Sequence, residues 1–150
     1  MDRGLVVFED SESHRQLLRE AAEHASGSNA SLLLLATIDP DDIEEDVEIL
    51  SSIGEVEHAH YDAETVLSAA ADDLGEAARD VLDEFDVPFD SMAVSTDDKA
   101  EAIIEMGHEH ECDHAFLLGR RRTPTQKAIF GDVTQRVILN YDGYITLATA

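Results

Sequence analysis

GLVVFEDSESHRQLLREAAEHASGSNASLLLLATI, Gly4 to Ile38, decides the fold. Its first piece, Gly4 to Phe8, is a short apolar and β-branched run that ends in Glu9-Asp10-Ser11, residues suited to a turn and a helix N-cap. Leu17, Leu18, Ala21, Ala22 and Ala25 then recur at helical spacing, and Gly27 is the expected stop. Ala30 to Ile38 is apolar almost without interruption, which suits a strand covered on both faces, and Asp39-Pro40 closes it. A strand, a helix and a strand of this length place the two strands parallel, joined by a right-handed crossover.

The same alternation continues outward. Asp41 to Tyr61 is strongly acidic with scattered apolar residues and reads as a mobile or partly helical connection. Val66, Leu67, Ala70, Leu74, Ala78, Val81, Leu82 and Phe85 mark the apolar face of a long helix that Pro88 breaks. Phe89 to Ser95 alternates like a half-buried strand near a sheet edge. Asp97 or Thr96 is placed to cap a helix carrying Ala100, Ile103, Ile104 and Gly107. His114 to Leu118 is a fourth, buried strand, Val133 to Asn140 a short helix, and Tyr144 to Ala148 a last strand. The predicted fold class is α/β: a single domain over 1–150 built on an open, mostly parallel five-stranded sheet with helices on both faces.

Composition sets the remaining bounds. Asp and Glu number 34 against 10 Lys and Arg, a formal net charge of −24, yet 43% of residues are hydrophobic, enough to build a core. Self-repulsion at this charge weakens a compact fold in dilute buffer, whereas molar salt shortens the Debye length to about 3 Å and screens it. The chain therefore reads as acidic and halophilic, fitted to a high-salt cytoplasm. Nucleic acid is excluded as a partner because phosphate contacts need a basic face. No window reaches the apolar length of a membrane span, so a cytoplasmic location and no membrane partner are expected. Cys112 is the single cysteine, which rules out an internal disulfide.

Positive charge is concentrated in GRRRTPTQKAIFGD, Gly119 to Asp132, where Arg120, Arg121, Arg122 and Lys127 stand between the fourth strand and the last helix. A glycine leaving a strand and another opening a helix make an anion site in α/β folds, since the helix start offers free N–H groups and the positive end of its dipole. In open sheets of this kind the ligand sits beyond the carboxyl ends of the strands, where strand order reverses. The loops after strands one, two and four are the candidates: Glu9 to Ser11, Thr37 to Asp39 and Gly119 to Asp132.

VVFEDSES at the end of the first strand, KAEAII ahead of CDHAFLLG, and GRRR followed by a later glycine together resemble the universal stress protein family, over nearly the whole chain apart from Asp41 to Tyr61. That resemblance implies an adenine nucleotide alpha hydrolase-like, Rossmann-type three-layer sandwich. It also implies dimerisation through the last strand and membership of either an ATP-binding or a non-binding branch. The binding branch resembles G-x2-G-x9-G-[ST] after the fourth strand, with an Asp ending strand one and a small apolar residue ending strand two. Here Gly119 matches the first glycine. Arg122 stands at the second, only eight residues separate it from Gly131 at the third, one short of the pattern, and Asp132, followed by Val133, replaces the Ser or Thr. Glu9 falls at the Asp position and Thr37 at the base-contacting position.

An arginine in place of glycine occupies space a pyrophosphate needs, and a carboxylate at a helix start caps the helix and repels phosphate. The arginines pull the other way, because their side chains bind phosphate where the backbone does not. Two functions are thereby implied. One is a dimeric stress-type regulator or scaffold with a degenerate nucleotide loop, an unnamed protein partner, no firm cofactor and no catalysis. The other is an ATP- or AMP-binding member with arginine-assisted phosphate binding and slow ATP hydrolysis. Thr123 and Thr125 are candidate phosphorylation positions beside those arginines. His108, His110, Cys112 and His114 lie close in sequence, but their alternation across a helix end and a strand start does not converge, so no metal site is assigned. His14 reads as a solvated helix residue, and Ser11 and Ser13 as capping residues.

Overall fold

A computed structural model of the chain describes residues 1–57, 62–119 and 131–149, without the side chains of 53–57. The elements run β1 (Arg3–Val7), α1 (Glu12–Ser28), β2 (Ser31–Ile38), α2 (Pro40–Glu57), α3 (Ala63–Leu82), β3 (Phe89–Ser95), α4 (Lys99–Glu109), β4 (His114–Gly119), α5 (Asp132–Asn140) and β5 (Tyr144–Thr149). The five strands form one sheet in the order β3-β2-β1-β4-β5, and every neighbouring pair is parallel. Leu5 sits at the centre of the register, opposite Leu33 on one side and Ala115 on the other.

Alternation along the central strands supplies two cores. Val6, Phe8, Leu32, Leu34 and Phe116 face α1 and α3, meeting Leu17, Leu18, Ala21, Ala78 and Val81. Leu5, Leu33, Leu35 and Leu117 face the opposite way, meeting Ala100, Ile103 and Val137 of α4 and α5. The near-continuous apolar runs of β1 and β2 are thus explained by burial on both faces, each large side chain contributing about 1.5–3 kcal/mol. β3 and β5 are the two edges, as their sequences predict, and both are half-covered.

One local expectation is sharpened and three are corrected. The acidic segment after β2 is a helix over Pro40–Glu57: Pro40 stands at the first helical position, and the Asp39 carboxylate accepts the Asp41 N–H at 2.8 Å. Ile43 is its buried anchor, and the helix packs on α3. Residues 58–61, the rest of that segment, lie outside the described residues. Gly27 does not stop α1; the helix continues to Ser28, and Asn29 caps it in the left-handed conformation, φ 56°, returning its N–H to Ala25 and Ser26 carbonyls. α3 ends at Leu82, well before Pro88, so Phe85 lies beyond it although it still packs on the first core. The cap of α4 is Asp98 rather than Asp97 or Thr96: its carboxylate accepts the Glu101 N–H at 3.1 Å, while the Thr96 hydroxyl accepts the Asp98 N–H at 3.0 Å.

Candidate functional site

β1 is the central strand. From it the chain moves one way to β2 and β3, and later the other way to β4 and β5. The reversal opens a crevice between the carboxyl ends of β1 and β4, where an α/β sheet binds its ligand. Glu9, Thr37, Gly119, Gly131 and Asp132 stand at or just past the strand ends or helix starts on this side. Arg122, together with Arg120, Arg121, Thr123, Thr125 and Lys127, lies outside the described residues.

The β1–α1 turn is ordered by its own polar groups. Ser11 is the N-cap of α1 and accepts the His14 N–H at 3.2 Å. The His14 ring, expected in solvent, is instead buried at 8% exposure, with Nδ1 2.7 Å from the Ser11 hydroxyl and its edge toward Phe8, centroids 6.5 Å apart. The sequence carries a signal for this, since His14 precedes Leu17, Leu18 and Ala21 on the same helical face. Glu9 and Asp10 are exposed, and Asp10 binds Arg15 at 2.6 Å. That hydrogen bond, reinforced by the charge of Asp10, holds the Arg15 guanidinium above its ordinary range.

Thr37 is partly buried in β2, in register with Val94. Gly119 is buried at the end of β4, opposite Thr149. Gly131 is the N-cap of α5 and provides no side-chain cap, and Asp132 is the first helical residue. The carboxylate of Asp132 is exposed and makes no hydrogen bond to another described residue, so it does not close the first turn of its own helix in the way a capping aspartate would. Val133 beside it is 37% exposed. One turn on, Arg136 reaches across to the α4 cap: Nη1 and Nη2 donate to the two Asp98 oxygens at 2.9 and 3.0 Å. The paired guanidinium, together with the Glu101 N–H, keeps the Asp98 carboxyl below its usual range. Nothing in the sequence signals this bidentate bridge, because its partners are 38 positions apart.

At the opposite end of the sheet a cleft of about 740 Å³ is lined by Gly107, His108, Glu111, Cys112, Tyr141 and Asp142, among others. It lies at the amino ends of β4 and β5 and so is not the crevice that the topology selects. Burial pushes the Cys112 thiol up, which keeps it protonated and agrees with a packing role. Among the described residues, no group of three or more His, Cys, Asp or Glu is arranged to hold a metal. No helix among them is long and apolar enough to cross a membrane.

An all-parallel sheet whose strand order reverses at β1, with a helix start beyond β4, defines a doubly wound α/β protein. The family model described as the universal stress protein family matches residues 1–142, and the chain belongs to that family. Solved structures agree on the fold. A universal stress protein from Archaeoglobus fulgidus superposes with a TM-score of 0.69 at 17% identity, covering 98% of this chain and 97% of that one. A second Archaeoglobus fulgidus structure, in complex with dAMP, gives 0.64 at 14% identity over 98% and 96%. A universal stress protein in complex with cAMP gives 0.63 at 15% identity over 98% and 95%. No curated protein matches the chain significantly in sequence.

Proposed function

We propose that this universal stress protein is a cytoplasmic, dimeric regulator or scaffold, working at high salt, whose nucleotide loop is degenerate and which has no catalysis of its own. The observation that carries the reading is Asp132. A carboxylate heads α5 where the helix dipole and free N–H groups favour an anion, and it is exposed toward the crevice end without a hydrogen-bond partner among the described residues. A phosphate placed there meets a fixed negative charge within a few ångströms, worth about 1 kcal/mol or more of repulsion per unit charge. Glu9 and Asp39 add further carboxylates at the neighbouring strand ends, and Arg15 and Arg136 are already committed to Asp10 and Asp98.

The dimer reading is supported by the β5 edge. Tyr144 is 73% exposed there, and Leu139 of α5 is 72% exposed. A parallel-sheet edge with apolar side chains is an aggregation hazard unless paired, and pairing across a two-fold axis removes it.

A second reading keeps its place because two structural neighbours carry adenine nucleotides, dAMP and cAMP, and because Arg120, Arg121, Arg122 and Lys127 border the crevice in sequence. In it the arginines bind ATP or AMP phosphates with side chains, and slow hydrolysis accompanies binding. Equilibrium titration with a fluorescent ATP analogue, in molar salt with magnesium, separates the two. The first reading expects no saturable binding at micromolar analogue and a gain of binding in Asp132→Ser. Saturable binding by the unaltered protein overturns it in favour of the second.

A further inference from the structure

β5 is an edge strand held chiefly by β4, and one side-chain bond ties the two strands on the face turned toward α1: His114 Nε2 lies 2.7 Å from Thr146 Oγ1. The His114 ring is also stacked on Phe116, 4.5 Å between centroids and 11° between planes, and tilted toward Tyr144 at 6.1 Å. Across the groove, His24 of α1 stands 5.9 Å from His114 and 5.7 Å from Phe116. Two histidines, two aromatic rings and one hydroxyl therefore meet on this sheet face between α1 and the open edge.

We propose that His114, faced by His24, is a proton-operated catch on the β5 edge: the neutral ring holds β4 and β5 together on this face, and its protonation releases them.

Burial disfavours the imidazolium first, and His24 on α1 and the Met1 amino group beside β1 add like charge, while among the described residues Asp113 at the head of β4 favours the proton. Tyr144 faces the ring from β5. Arg19, Glu20 and Glu23 of α1 line the same groove further along, against Leu118 and Ala148. The opposing effects outweigh Asp113, and His114 is held below the ordinary histidine range.

The sign is then fixed. A histidine kept neutral in the folded state contributes stability above its unfolded value of about 6.5, and that contribution is lost as pH falls through the folded value. A protonated ring can still donate to Thr146, so protonation does not by itself remove the bond. What it lacks is hydration, and it regains water by swinging off Phe116 and away from Thr146. The strand that loses its side-chain tie is the one proposed above to pair with a second copy.

Imidazole NMR on the whole protein in molar salt tests the catch together with hydrogen exchange at the β5 amides. His114 is expected to titrate below the ordinary histidine value, and His24→Gln to raise its midpoint, more so in dilute salt where the like charge is less screened. Protection of the Tyr144–Thr149 amides, corrected for intrinsic exchange, is expected to fall with His114 protonation and to become flat with pH in His114→Asn. A midpoint at or above the ordinary value, or equal loss of protection in His114→Asn, overturns the proposal. If His114→Asn does not fold, the His24→Gln shift decides it. Light scattering across the same pH range adds a readout that rests on the dimer: dissociation that tracks the midpoint supports both. A monomer at every pH refutes the dimer alone and leaves the decision on the catch to the exchange data.

Discussion

The two ends of the sheet are built on different principles. At the amino ends of the strands, backbone and side chain interlock. The Asp113 carboxylate accepts the N–H groups of Asp2 and Arg3 at 3.1–3.2 Å, and its carbonyl accepts the Tyr144 N–H at 3.0 Å. The Tyr141 hydroxyl donates to the Cys112 carbonyl at 2.7 Å while its ring lies against Gly107. At the carboxyl ends the described side chains include several carboxylates, two of them, Asp10 and Asp98, paired with arginines and others, such as Glu9 and Asp132, left facing solvent. One end is organised for stability and the other for charge. Substitutions at the first should cost folding free energy, and substitutions at the second should change what the crevice attracts.

Gly143→Ala is expected to have the largest effect. Gly143 has φ +144°, and an added Cβ would stand 2.6 Å from the Asp113 carbonyl oxygen, so the turn that delivers β5 to β4 must deform. Strain and overpacking together predict a loss of about 3 kcal/mol, read as a fall in melting temperature of about 6–12 °C for a domain of this size. An unchanged melting temperature would remove the amino-end lock from the account.

Tyr141→Phe comes next. It leaves the Cys112 carbonyl without its donor in a partly buried place and should cost about 1–2 kcal/mol in denaturant unfolding, with little change in the slope against denaturant.

Acid acts on the same end through Asp113. Burial raises its carboxyl, but the Asp2 and Arg3 N–H groups and the Met1 amino group outweigh that and hold it below the ordinary carboxylate range. Its contribution is present above the unfolded value of about 3.9 and is lost as pH falls through the folded value, so Asp113→Asn should flatten the acid limb of the stability curve below about pH 4. An acid limb identical to that of the unaltered protein would assign the linkage elsewhere.

The smallest effect on stability is expected from Asp132→Ser, at an exposed first-turn position with no hydrogen bond to another described residue. Loss of the carboxylate costs a favourable dipole interaction of about 0.3–1 kcal/mol and removes the charge that opposes phosphate. Near-neutral stability with altered anion binding is the signature that distinguishes this end from the other.

The fold was legible because burial on both faces of β1 and β2 leaves uninterrupted apolar runs, and because each crossover helix shows an apolar stripe. Boundaries were read less well where an alternative residue does the job. Asn29 supplies the left-handed cap that Gly27 was expected to supply, and Asp98 accepts the α4 N–H one position beyond Asp97. The acidic stretch after β2 reads as only partly helical because Ile43 is the one strongly buried residue among its described side chains, too few for a clear stripe. At the site, Glu9, Thr37, Gly119, Gly131 and Asp132 come to the carboxyl end of the sheet because motif spacing and strand order are both properties of the chain. The Arg136–Asp98 bridge and the His24–His114 pair were invisible, since each joins residues whose proximity depends on how helices pack across the sheet.

The proposed function holds that the crevice between β1 and β4 belongs to the family fold while this chain binds no nucleotide there. Thermal unfolding in molar salt, with and without millimolar ATP and magnesium, tests it most directly. The account predicts coincident transitions. A rise in melting temperature that grows with ATP concentration, as binding to the folded state alone requires, would contradict it.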